Sequence, residues 1–410
     1  MVYLDHAATT PVRREVLEAM TPYLTTAFGN PSSSHAAGVA ARDALEDARR
    51  AVARHLGMRA KDVIFTSGGT EGNNLAIKGI AIGSLLTRGR RHLVTTAIEH
   101  SSVRESVRFL ERVHGFDATI VPVDDHGRVD PDEVASALRE ETALVSLGHA
   151  NNEIGTVQSL AELAAVCRDA GVPSHIDAVQ SAGWLPLTPE PSAQDRPAQT
   201  LSGPDPDASA GNRRRRAGVD AIVVSGHKIG APKGTGAAAV RGAVPFEPLL
   251  HGGGQERGRR SGTESVAGAV ALRTALDIAE REREEAALRV TAARDAFIAD
   301  VLARVPGARL TGHPSARLPH IASFTIEGVN GETLLLDLER HGVVASSGSA
   351  CSAGSTDPSP VLLAIGISAD EARTAIRFSL PRVPADLAPV ADALAAATSA
   401  HRGDRSGADR

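Results

Sequence analysis

Ala221-Ile-Val-Val-Ser-Gly-His-Lys228 reads as a buried strand ending in a glycine turn that delivers a lysine amine just past the strand. Short β-branched runs of the same kind recur upstream, at Val63-Ile-Phe-Thr66, Leu93-Val-Thr-Thr96, Leu144-Val-Ser-Leu147 and around Ile176, with helical patterns between them. That rhythm predicts an α/β fold with a mostly parallel, helix-covered sheet. Ligands of such sheets bind beyond the carboxyl ends of the strands, and the polar residues here repeatedly follow those runs. A helical pattern then runs from Ser261-Gly-Thr263 to about residue 304, and strand and helix signals alternate through 321–326, 332–338, 343–345 and 375–378. A smaller α+β C-terminal domain fits them. The expected organisation is a segment 1–15 joining the small domain, a large domain 16–260, the small domain 261–400 and a disordered tail 401–410.

At 410 residues and 42% hydrophobic composition the chain is long enough for two cores. A net charge of -5 and a pI near 6.3 argue against a chain-wide basic surface for nucleic acid or anionic lipid. No apolar run reaches the ~18 residues that span a bilayer, and Met1-Val-Tyr-Leu-Asp-His6 does not resemble a signal peptide, so the expected location is cytoplasmic. Segment 188–217 is rich in Pro, Ser, Asp and Gly and carries Arg213-Arg-Arg-Arg216. It is expected to be a disordered surface insertion, and its arginines a solvated charge run rather than a nucleic-acid site.

The two cysteines cannot build a disulfide framework or a zinc site of paired thiols. Cys167 lies in a helical pattern and reads as a buried structural thiol. Cys351 lies in Ser346-Ser-Gly-Ser-Ala-Cys-Ser-Ala-Gly-Ser355, too small and polar for a core and suited to a mobile loop with a chemical role.

Lys228 suits a Schiff base, and Asp177, ending the run at Ile176, suits the protonated nitrogen of a pyridine ring. Together they suggest pyridoxal 5'-phosphate. Val63–Thr66 leads into Ser67-Gly-Gly-Thr-Glu-Gly-Asn-Asn74 and a helix start, where Gly69, Thr70 and exposed amides could cradle a phosphate. The stretch matches neither a nucleotide P-loop nor a dinucleotide fingerprint. Ser225 and His227 could reach the same phosphate, and Arg259-Arg-Ser-Gly-Thr263 adds a hydroxyl with cationic neighbours; His227 alone reads equally as a structural histidine. Gln180 could donate to the ring's phenolic oxygen. His100 could stack on the ring and move protons, and Asn151 could touch cofactor and substrate, although both could also be ordinary loop residues. Arg377 is an odd choice for a strand interior unless its fork binds a carboxylate, which an amino-acid substrate provides.

These stretches resemble the cysteine desulfurases of the NifS/IscS type, within the class V aminotransferase family of fold type I pyridoxal-phosphate enzymes. The resemblance covers nearly the whole chain, through Tyr3-Leu-Asp-His-Ala-Ala-Thr-Thr-Pro11, Phe28-Gly-Asn-Pro31, Thr66-Ser-Gly-Gly-Thr-Glu71, Asn151-Asn-Glu-Ile-Gly155, Ile176-Asp-Ala-Val-Gln180, Ser225-Gly-His-Lys228, Arg260-Ser-Gly-Thr263 and Ser346-Ser-Gly-Ser-Ala-Cys351. It implies a large cofactor-binding domain with a sheet of the seven-stranded type, and a homodimer with a shared active site. Lys228 would hold the cofactor as an imine. Asp177, Gln180, Asn151, Gly69, Thr70, His100, Ser225 and His227 would surround it, and Thr263 would reach the partner subunit's phosphate. Arg377, with Asn30 and Asn151, would bind the substrate.

The implied reaction takes sulfur from L-cysteine, leaving L-alanine and a persulfide on Cys351. The sulfur would pass to an iron–sulfur scaffold or to tRNA-thiolation proteins, with Cys351 as a transient ligand to a nascent cluster. Two departures stand out. The 188–217 insertion separates Asp177 from Lys228 by about twice the family's interval, which costs little thermodynamically. Pro360 stands where relatives commonly have an aromatic residue. The competing readings are a selenocysteine lyase or another class V aminotransferase, a sulfur-relay or scaffold-binding protein without chemistry, and an RNA binder acting through the four arginines.

Overall fold

A computed structural model describes residues 1–187, 218–347 and 357–408. The insertion 188–217, with its arginine run, and Cys351 lie outside the described residues. Strand β1 (Val2–Tyr3) opens the chain. Strands β2 (Val63–Thr66), β3 (His92–Thr96), β4 (Asp117–Val121), β5 (Thr142–Gly148), β6 (Ser174–Asp177), β7 (Ala221–Ser225) and β8 (Gly236–Val240) form a seven-stranded sheet in the order β2-β8-β7-β6-β5-β3-β4. Only β8 runs antiparallel to its neighbours. The fold is therefore α/β with a mostly parallel sheet, as its β-branched runs predict.

Two strands of that sheet, β4 and β8, were not among the runs singled out from sequence. Strand β8 is Gly-Ala-Ala-Ala-Val, poor in strand formers, yet all five residues are buried between β2 and β7. Small side chains let covering helices approach closely. The same economy operates at Gly72 of helix Gly69–Arg88, where an added Cβ would stand 2.5 Å from Val223 Cγ1 on β7. Strand β4 is the sheet edge, where Ile120 is exposed and Val121 alone is buried.

The C-terminal part holds a three-stranded antiparallel sheet of β9 (Ala308–Leu310), β10 (Ile321–Ile326) and β12 (Ile376–Ser379), in the order β12-β10-β9. Strand β11 (Val343–Val344) pairs in parallel with β1, bringing the chain start to this sheet's side of the molecule. Phe297, Phe324 and Phe378 meet edge-on in its core, with the Phe297 and Phe378 ring centres 5.1 Å apart. The 39-residue helix Val266–Arg304 joins the two cores: Ala271, Leu272, Ala275 and Leu276 pack under the large sheet, and Ala286, Val290, Phe297 and Val301 under the small one. Because its apolar face changes partner halfway, no single stripe runs along its length. The last helix, Ala388–Ala408, continues past residue 400, where composition had placed a disordered tail.

A buried ion pair fixes the approach to the site. Both terminal nitrogens of Arg49, on helix Ala36–His55, bond to the Glu256 carboxylate, Nη2 to Oε1 at 3.2 Å, and Nη1 also donates to Val63 O at 3.0 Å. Glu256 has φ 48° and begins the loop to Arg260, whose Nε donates to Glu71 Oε1 at 2.8 Å, on the first turn of helix Gly69–Arg88. Both Arg49 and Glu256 side chains are 2% accessible. Replacing one partner strands a charge; replacing both does not. Arg49→Met is expected to lower unfolding free energy by about 3–5 kcal/mol in urea titrations, and Arg49→Met/Glu256→Leu to recover most of that loss.

Candidate active site

The carboxyl ends of β5, β6 and β7 open on a cavity of about 310 Å³. Lys228 follows β7 by a short 3₁₀ turn, Gly226–Lys228, so the strand end and turn set where its side chain starts. Its Nζ donates to Ala7 O at 2.6 Å and Ala8 O at 2.8 Å, two carbonyls from the start of the chain. Gln180 Nε2 donates to Ala7 O as well, at 3.0 Å.

Asp177 ends β6 and faces the same cavity. Its Oδ1 accepts from the Val179 amide at 2.9 Å, and its Oδ2 from Asn73 Nδ2 at 2.7 Å. Asn73 Nδ2 also donates to Ser102 Oγ at 2.9 Å. His100 caps helix Ser101–His114: its Nδ1 accepts from the Ser102 amide at 3.1 Å and lies 2.8 Å from Ser102 Oγ. Asn151 accepts from the amides of Glu153 and Ile154 in its own loop and donates to Ile98 O, two residues before His100.

Helix Gly69–Arg88 points its N-terminus at the cavity with no side chain capping it. Gly68 holds φ +151°, a conformation that favours glycine. The Ser225 hydroxyl is buried beside this turn without a hydrogen-bond partner among the described residues. Open helix amides and an unpartnered hydroxyl are what a phosphate group would satisfy. The donor set therefore fits a pyridine ring carrying a phosphate: amides and Ser225 at one end, the Asp177 carboxylate and Lys228 amine further in.

Burial removes charge from several neighbours. The His227 imidazole is pushed down to about 4 by burial, then by Lys228 and Lys233, so it is neutral at physiological pH; its Nδ1 lies 3.2 Å from Thr9 Oγ1. Burial also pushes the Glu99 carboxyl, a cavity residue, up to about 7, against hydrogen bonds from Thr96 Oγ1 at 2.6 Å and the Gly148 amide. Cys167 is the buried thiol expected from its helical pattern, and burial pushes it up to about 12, which makes it inert.

Arg377 lies on β12, is fully buried and lines the cavity. It does bind a carboxylate, but one from its own chain: Nη2 donates to Asp5 Oδ1 at 2.7 Å, while Nη1 donates to Asn152 O at 2.8 Å. The flanks of the Cys351 segment stand close by. Ser346 pairs with the Arg377 backbone, and Ser359 donates to the part-buried Glu153 Oε2 at 2.5 Å. Ser359 also caps helix Pro360–Ala364, which places Pro360 at the first helical position, where its missing amide costs nothing.

Of the residues singled out from sequence, Gly69, Thr70, His100, Asn151, Asp177, Gln180, Ser225, His227, Lys228 and Arg377 all line this one cavity. Asn30 and Thr263 do not, and both are exposed. Asn73, Glu99 and Ser102 line it without having been singled out. Asn73 lay inside the quoted stretch Ser67–Asn74, and Glu99 and Ser102 lie within two residues of His100. No metal-binding group of three or more His, Cys, Asp or Glu occurs among the described residues, and no described helix is long and apolar enough to cross a membrane.

A mostly parallel sheet with a lysine and an aspartate at adjacent strand ends defines a class of cofactor-dependent transferases. The family model described as aminotransferase class-V matches residues 2–191 and 213–383, and the chain belongs to this family. Its curated relatives include cysteine desulfurases. One from Dictyoglomus turgidum, a cysteine desulfurase IscS, is 43% identical over 379 residues, covering 92% of this chain and 89% of the relative. Another, from Methanosarcina thermophila, is 41% identical over 93% of this chain and 87% of the relative. Among solved structures, a NifS-like protein superposes with a TM-score of 0.82 at 33% identity, covering 97% of this chain and 98% of that one. SspA in complex with cysteine gives 0.76 at 33% identity, covering 94% and 100%.

The raised Glu99 carboxyl makes a pH prediction. Its folded value, about 7, lies above the unfolded 4.5, so its contribution to stability is full below about pH 4.5 and is lost as pH rises through 7. Over that window the wild-type protein is expected to lose roughly 3 kcal/mol that Glu99→Gln does not lose. Urea midpoints of both proteins from pH 4.5 to 8 measure the difference.

Proposed function

We propose that this chain is a cysteine desulfurase that holds pyridoxal 5'-phosphate on Lys228, takes sulfur from L-cysteine and releases L-alanine, leaving a persulfide on Cys351. The observation that carries this reading is the convergence of Lys228, Asp177, His100 and Ser225 on one cavity, beside an uncapped helix N-terminus, in a chain whose curated relatives include cysteine desulfurases. When bound, the cofactor supplies an electron sink for the pair left at the substrate α-carbon.

In this reading Asp177 holds the ring nitrogen protonated, Gln180 reaches the phenolic oxygen, and Asn151 lies beside ring and substrate. The amides from Gly69 and Thr70, with Ser225 and the neutral His227, hold the phosphate. The partner subunit's Thr263 completes the phosphate site across a homodimer, consistent with the exposure of this chain's own Thr263. Arg377 offers its guanidinium to the substrate carboxylate, with Asn30 as a further neighbour. With the cofactor bound, the Lys228 amine would take the α-proton and His100 would move protons in the same cavity. The Cys351 thiolate then attacks the substrate sulfur. A sulfur–sulfur bond forms as the carbon–sulfur bond breaks, and the electron pair left on carbon is protonated to give the methyl group of alanine. Attack requires the sulfurs to meet at ~3–3.5 Å, yet the persulfide must afterwards reach an acceptor, an iron–sulfur scaffold or tRNA-thiolation protein in the cytoplasm.

Borohydride reduction followed by digestion is expected to tag the peptide containing Lys228. Lys228→Ala should lose both the aldimine absorbance and the tag, with alanine formation falling roughly 10³-fold or more. After incubation with L-cysteine, peptide mass should place one added sulfur on Cys351. Cys351→Ser is expected to lose that sulfur together with alanine formation, and full alanine production by this variant would exclude the persulfide route.

A further inference from the structure

We infer that Asn73 is a positioning residue whose single amide nitrogen ties Asp177 and His100 into one hydrogen-bonded unit, with Ser102 as the link to His100. This rests on the proposed function for what Asp177 and His100 do; the unit itself stands on distances. Asn73 Nδ2 spends one hydrogen on Asp177 Oδ2 at 2.7 Å and the other on Ser102 Oγ at 2.9 Å. Ser102 Oγ, already accepting, can turn its own hydrogen to His100 Nδ1, 2.8 Å away. The Ser102 amide donates to the same Nδ1 at 3.1 Å. With two donors aimed at it, Nδ1 is the unprotonated nitrogen, and the neutral ring carries its proton on Nε2.

The orientation of Asn73 is dictated by its partners. Turned over, its carbonyl oxygen would face the Asp177 carboxylate at hydrogen-bond distance, a contact between two acceptors. In the observed orientation Asn73 Oδ1 is buried without a hydrogen-bond partner among the described residues. Leaving a carbonyl so placed costs stability, and a side chain chosen for packing alone would not incur that cost. Asn73 and Ser102 sit on different helices, Gly69–Arg88 and Ser101–His114, so the amide also bolts together the two helices that carry the phosphate turn and His100.

The arrangement has a branch order. Removing Asn73 frees Asp177 Oδ2 and Ser102 Oγ, whereas removing the Ser102 hydroxyl leaves His100 Nδ1 with the Ser102 amide alone and Asn73 still on Asp177. Two readouts separate these arms. In cofactor-free protein labelled with ¹⁵N-histidine, with His100 assigned by comparison with His100→Gln, the wild-type ring is expected to show an unprotonated, hydrogen-bonded Nδ1. Both Asn73→Leu and Ser102→Ala should shift that resonance by loosening or removing the hydroxyl donor while the Ser102 amide stays on Nδ1, and Ser102→Thr, which keeps the hydroxyl, should hold it at the wild-type position. In cofactor-loaded protein, the pH titration of the absorbance band should move in Asn73→Leu and stay at the wild-type position in Ser102→Ala. Asn73→Ser serves the same comparison if the leucine variant does not fold. The inference is overturned if Asn73 variants leave the His100 resonance unchanged, or if Ser102→Ala moves the absorbance titration as far as Asn73→Leu does. Failure to load any cofactor would instead sink the proposed function, and the histidine resonance would still decide the inference.

Discussion

Two hydrogen bonds from the Lys228 ammonium to the carbonyls of Ala7 and Ala8 determine how the rest of the site is assembled. A strand end can aim a lysine, but it cannot supply acceptors at the far end of so long a side chain. The start of the chain supplies them. It can do so because β1 pairs with β11, the His6 amide donates to Ser379 O, the Ala7 amide donates to Ser379 Oγ, and Thr10 returns to His227 O through both amide and hydroxyl. The segment is thus pinned alternately to the small sheet and to the turn that carries the lysine. Asp5, on the same segment, meets Arg377 of β12, so one short stretch of backbone positions both principal cations of the cavity.

Burial shapes the electrostatics as much as the charged groups do. His149, His175 and His227 are each pushed down to about 4 by burial, and Glu99 is pushed up to about 7. Desolvation therefore reduces the charge these four groups carry around the cavity that Lys228, Asp177 and Arg377 also line. An anionic ligand entering there meets an uncapped helix end and an unpaired hydroxyl rather than a field of mobile ions.

The fold was legible wherever a strand had to be both buried and β-branched. The runs ending at Thr66, Thr96, Asp177 and Ser225 are strands because branched side chains fill the space between sheet and helix. Strand β8 escaped because alanine and glycine serve there as spacers, a property of the gap between two packed layers and not of the segment itself. The last helix outran its expected end because composition reports solubility, whereas backbone hydrogen bonding can continue through polar residues.

At the site, local sequence was sufficient to single out Lys228, Asp177, His100, Ser225 and the glycine turn before Gly69, since each directly follows a strand that the chain must bury. The chain order of those residues, strand by strand, already implied that they share one edge of a parallel sheet. What no local reading could supply are the contacts between distant segments: Ala7 and Ala8 with Lys228, Asp5 with Arg377, and Asn73 bridging Asp177 to Ser102. A carbonyl or an amide becomes specific only through the partner that packing brings within about 3 Å, and that distance is set by the whole tertiary structure.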